Sequence, residues 1–62
     1  MKEKMIERIN REIEMSKKHF DKFGWDDEHV NNLCKIKGMM IMLSMIDDHE
    51  YYFDDCGVHE RN

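Results

Sequence analysis

Sixty-two residues with 10 Lys and Arg, 14 Asp and Glu and a formal net charge of −4 describe one small domain. At this length a fold buries only about 60% of the surface its unfolded chain exposes, which excludes a large core and makes a partner or staple a common source of extra stability. The second residue is already charged and the longest stretch without Asp, Glu, Lys or Arg is nine residues, so neither a signal peptide nor a membrane span of roughly 20 apolar residues is expected.

The charge is unevenly distributed. Residues 1 to 25 hold seven Lys and Arg against five Asp and Glu, whereas residues 26 to 62 hold three against nine. From Asp47 to Glu60 there are six carboxylates and no Lys or Arg. Phosphate contacts require clustered basic side chains, so direct binding of nucleic acid is not expected of the second half. A protein partner with a basic surface suits it better. Cys34 and Cys56, without an export signal, are expected to remain reduced in the cytoplasm.

Positions 6, 9, 13, 16, 20 and 23 are Ile, Ile, Ile, Ser, Phe and Phe, stepping alternately by three and four. This narrow stripe predicts an amphipathic helix over about 2–23. Glu7 with Arg11 and Glu14 with Lys18 stand four apart on its outer faces, at the spacing of favourable ion pairs. Gly24 is the residue type that most often ends a helix, Asp26 or Asp27 can cap the next, and Glu28 falls in its first turn. A turn over 24–26 makes the two helices antiparallel neighbours.

The second helix is predicted over about 27–53. It carries three apolar stripes: Leu33, Ile36, Met40 and Leu43; Val30, Cys34, Ile41 and Met45; and Met39, Met42, Ile46 and Phe53. Its uncharged run, Gly38 to Ile46, is apolar on every side, and such a helix must be covered on every side. The first helix can cover one stripe. Met39, Ile41, Met42, Met45 and Ile46 are therefore assigned to an interface between copies. Met40 and Met45 also suit a core, Met39 and Met42 suit core and adaptable groove equally, and Cys34 is expected to be a small buried hydrophobe. The fold class expected is all-α: an antiparallel helical hairpin that self-associates into a four-helix bundle or larger helical oligomer.

A second helix of about 27 residues spans roughly 40 Å against roughly 33 Å for the first, so its end should overhang. There Asp47, Asp48, Glu50, Asp54 and Asp55 surround Tyr51, Tyr52 and Phe53. Aromatic side chains are frequent anchors of interfaces and carboxylates steer basic partners, which makes these eight residues the candidate partner-binding surface. The alternative is that Tyr52 and Phe53 close the bundle end while the acids are solvated. Residues 54–62 are expected to form a tail.

Cys56 and His59 have zinc-ligand spacing, but a structural site needs about four ligands. No second close pair exists: His29 and Cys34 are five apart, and His19 and His49 stand alone. No metal or other cofactor is expected. Glycine-rich phosphate loops, HExxH spacing and Ser-His-Asp arrangements are missing, and the residues three before the histidines are Ser16, Asp26, Ile46 and Cys56 rather than glutamates. The chain is not expected to be an enzyme.

A charged first helix, the turn Gly24-Trp25-Asp26-Asp27 and a second helix carrying Lys35 to Leu43 make a layout that resembles small helical hairpins encoded by bacteriophages and mobile elements. The resemblance covers most of the chain and transfers no functional residue. It implies a protein that acts without catalysis by binding a host protein, to inhibit or redirect it, as an anti-defence or host-takeover factor. The alternative function is a small oligomer holding a nucleotide or metal between chains, with Arg8, Arg11, Lys17 and Lys18 as candidates for an anionic ligand.

Overall fold

The computed structural model of the chain describes residues 2–61. Helix α1 covers Lys2–Phe23, helix α2 covers Asp27–Asp47, and strands β1, Tyr51–Asp54, and β2, Gly57–Glu60, follow. Met1 and Asn62, the ends of the expected single domain and its tail, lie outside the described residues.

The predicted stripe of α1 buries Ile9, Ile13 and Ser16, while Phe20 and Phe23 remain exposed. Gly24 ends the helix with φ of 73°, and its amide donates to the Phe20 carbonyl at 2.7 Å. That left-handed conformation is one that glycine adopts without steric cost. Asp26 caps α2, its side chain accepting from the His29 amide at 2.8 Å. The same carboxylate is 3.0 Å from His19 Nε2, tying the last turn of α1 to the first turn of α2. Farther along, Lys35 reaches across from α2 to Glu12 at 3.2 Å. The core between the helices is Ile9, Ile13, Ile36, Met40 and Leu43, so the first of the three stripes on α2 is the buried one.

The chain is not all-α. Helix α2 stops at Asp47 instead of continuing to about residue 53, and the expected tail is the second strand of an antiparallel β-hairpin. Asp48 takes a left-handed conformation, φ 51° and ψ 47°, and the Ser44 carbonyl accepts from both the Asp48 and the His49 amides. Aspartate tolerates this conformation better than most residues because its short polar side chain can bond locally. Beyond it, Tyr51, Tyr52 and Phe53 favour a strand. The Asp54 side chain accepts from the Cys56 amide at 2.8 Å, and Gly57 has φ of 124°, which together close the turn. Phe53 is in helical register with Met39, Met42 and Ile46, but it belongs to an alternation in which Tyr51 and Phe53 are half-buried while Tyr52 and Asp54 are exposed.

A lone two-stranded hairpin is marginal in water, so this one depends on docking. Tyr51, Phe53 and Val58 pack against the core. The register pairs Tyr51 with Glu60, Tyr52 with His59, Phe53 with Val58 and Asp54 with Gly57. From α1, Asn10 Oδ1 accepts the Val58 amide at 2.8 Å. Gly57 is buried beside it, and a Cβ there would lie 2.7 Å from that oxygen. At the other end, Lys2 bridges Asp47 at 3.4 Å and Glu60 at 3.3 Å. With 22 and 21 residues the two helices are nearly equal in length, and no overhang exists. No helix among the described residues is long and apolar enough to cross a membrane.

Candidate interaction surface

The eight residues expected to meet a partner are divided by the β-hairpin. Asp47 is turned inward, accepting the Tyr51 hydroxyl and facing Lys2. The Tyr51 hydroxyl, followed by Lys2, holds the Asp47 carboxyl below its ordinary value, and the same bond raises the Tyr51 phenol. Tyr51, Glu60 and Asp47 together push the Lys2 ammonium above its usual value. Asp54 accepts from His59 Nε2 at 2.9 Å and from the Cys56 amide, which lower its carboxyl in that order. Glu50 faces Arg61 at 4.0 Å. Tyr51 and Phe53 are half-buried against the core, leaving Asp48, Glu50, Tyr52, Asp54 and Asp55 as exposed members of the set, of which Asp48, Tyr52 and Asp55 make no ion pair with Arg61 or His59. Tyr52 packs on His59 with ring centroids 5.1 Å apart, and the Arg61 guanidinium lies over the Tyr52 ring, 5.3 Å from its centroid. One segment therefore supplies both hairpin anchors and a reduced outer patch.

The uncovered surface is larger on α2. Ile41 is 56% exposed, Met42 56%, Met45 76% and Ile46 54%. Of the five residues assigned to contact between copies, only Met39 is half-buried, packing on the core. Helix α1 and the β-hairpin cover the first stripe, and apart from Met39 and Phe53 the other two stay open. Cys34, expected to be buried, is exposed, as is Val30 on the same stripe, because one side of α2 meets α1 and the hairpin while this side meets neither. Met40 is buried as a core residue; Met45, which also suited that role, is not. Along the border between α2 and β1 runs a shallow groove of about 610 Å³, lined by Lys37, Ile41, Ser44, Met45, Asp48 and Tyr52 among others.

The other expected chemistry has a simple geometry. His59 turns to Asp54, Cys56 is exposed in the turn, and among the described residues no group of three or more His, Cys, Asp or Glu is arranged to hold a metal ion. Arg8, Arg11, Lys17 and Lys18 are exposed along α1, and Lys18 pairs with Glu14 at 3.4 Å. Sequence spacing missed one pairing. Ser16 and His29, both buried, approach at 3.4 Å between Oγ and Nδ1. Asp26 accepts from the His29 amide and meets the His19 ring, and among the described residues no carboxylate is hydrogen-bonded to the His29 ring. Only the position of Ser16 in an otherwise apolar stripe signalled it.

Compared with protein families, curated proteins and solved structures, the chain matches none of them significantly.

Proposed function

We propose that this chain is a small non-catalytic interaction protein that pairs with a second copy through the outer face of α2 and offers the exposed part of its acidic hairpin to a basic protein surface. The observation that carries the reading is the contiguous patch of Ile41, Met42, Met45 and Ile46, each more than half exposed. Adjacent large apolar side chains on a small protein mark a contact surface more often than chance scatter.

A second copy is the occupant argued for because a two-fold interface covers both patches at once. Burying the exposed fractions of these four side chains is worth on the order of 5 kcal/mol per copy, or about 10 for the pair. Association costs about 4–15 kcal/mol, so a dimer forms toward the low end of that cost, where the balance of about 6 kcal/mol corresponds to a Kd of roughly tens of micromolar. Gly38 lies on the same side of α2, with nothing within 4 Å of where a Cβ would be, which leaves room for close approach of another helix. Around such a dimer, Asp48, Asp55 and Tyr52 supply charge and an aromatic contact for a host protein to be inhibited or redirected.

The test is sedimentation equilibrium on the native chain and on Ile41→Lys with Met45→Lys. The native chain should associate reversibly in the micromolar range, and the double variant should be monomeric with unchanged helical circular dichroism. A native chain that stays monomeric across that range refutes the pairing.

A further inference from the structure

Between the tip of the β-hairpin and the α1–α2 turn the fold leaves a cleft of about 430 Å³, within the size range of small-molecule sites. Its inner wall is apolar, from Ile13, Leu33, Ile36 and Phe53. Its outer wall is aromatic. The His29 ring lies 4.9 Å from the Phe20 centroid and 5.0 Å from that of Trp25, and both neighbours are exposed. Large aromatic rings left uncovered around a buried imidazole are not explained by packing within the chain.

The rim is acidic. Asp21, Asp54 and Asp55 line it against a single cation, Lys17. Asp54 is committed to His59 and the turn, but the Asp21 and Asp55 carboxylates have no ion pair or hydrogen bond among the described residues. His29 is 8% exposed; its amide is held by Asp26 and its Nδ1 by Ser16, while Nε2 has no partner among the described residues and the ring lines the cleft. In the tautomer that donates from Nδ1 to Ser16 Oγ, Nε2 is an acceptor.

We propose that this cleft is a binding site for a small organic cation, a primary ammonium carried on an aromatic body. The ring faces of Phe20 and Trp25 attract a cation, the free carboxylates compensate its charge, and the Nε2 lone pair accepts one of its N–H bonds. An anion would face the carboxylates of the rim. A neutral aromatic molecule would gain the apolar walls but not the charge compensation.

Trp25 is the only tryptophan, so its fluorescence reports on this cleft alone. Titration of the full chain with phenethylammonium should give a saturable change with Kd on the order of 1 mM, as befits a ligand of so few atoms. The neutral 2-phenylethanol should bind at least about fourfold more weakly and phenylacetate more weakly still, from loss and then reversal of a charge interaction near the water limit. Asp21→Asn and Asp55→Asn, both at exposed positions, should each weaken phenethylammonium by about two- to fourfold without altering helical circular dichroism. Phe20→Leu should weaken it as well. Chemical shifts of the Trp25 indole N–H and the His29 ring should follow the same isotherm, which guards against a silent fluorophore. The proposal is overturned if 2-phenylethanol binds as tightly as phenethylammonium, if the Asp21→Asn, Asp55→Asn double variant binds like the native chain, or if neither fluorescence nor chemical shifts saturate by about ten times the expected Kd.

Discussion

Gly57→Ala asks whether the β-hairpin is docked where the structure has it. At φ of 124° an alanine is strained by about 1–3 kcal/mol. Its Cβ would also fall 2.7 Å from Asn10 Oδ1, so Asn10 must withdraw from the Val58 amide that it now accepts at 2.8 Å. Losing that hydrogen bond costs about a further 1 kcal/mol. A total of about 2–4 kcal/mol is a large fraction of the roughly 3–9 kcal/mol expected for a domain of this length. At about 4–8 °C per kcal/mol, the melting temperature should fall by about 10 °C or more. Thermal melts followed by circular dichroism measure it, and adding Asn10→Ala should return only the steric share, leaving the backbone strain. The reasoning has an opposite-signed rival: in a helix interior or a frayed tail, glycine to alanine is neutral or stabilising. A variant that melts at or above the native temperature would refute the docked hairpin.

Acid should weaken the fold at defined sites. The Asp26 carboxyl is lowered by the His29 amide and then by His19, and Asp47 and Asp54 are lowered by Tyr51 and His59 respectively. Depressed folded-state values mean that the unfolded chain binds protons first on acidification. The stabilisation is complete above the unfolded carboxylate value near 3.9 and is lost as pH falls through the folded values. Melting temperature should therefore decline below about pH 4, and Asp47→Asn should flatten part of that decline. In urea denaturation, Leu43→Ala, at a fully buried position, should cost about 2–5 kcal/mol. Ile41→Ala, on the open face, should change the stability of the dilute monomer by no more than about 0.5 kcal/mol.

Much of the helical frame was legible because its signals were local. The 3-4-3-4-3 stripe, Gly24 and Asp26 gave α1 and the start of α2 their bounds, and each acts within a few residues of itself. The second half misled because two periods overlap there. Phe53 fits the helical register of Met39, Met42 and Ile46 and equally the two-residue alternation of β1, and only the left-handed turn at Asp48 separates them. Gly57 fell within the expected tail and was not legible as a hairpin residue pressed on Asn10, a contact 47 positions away in sequence. The same distance effect hid the Ser16–His29 contact, which forms across the interhelical turn. Cys34 was misjudged for another reason: apolar stripes show which faces can be buried, not which one the chain itself buries.

The central claim is that the outer face of α2 meets a second copy of the chain. Its most direct test is a mixed sample of methyl-labelled and unlabelled protein, read by intermolecular nuclear Overhauser effects. The Ile41, Met42, Met45 and Ile46 methyls should contact the other copy, whereas the buried Leu43 methyls should show contacts only within their own chain. Intermolecular contacts confined to another surface, or none in a sample shown to be concentrated and folded, would contradict the account.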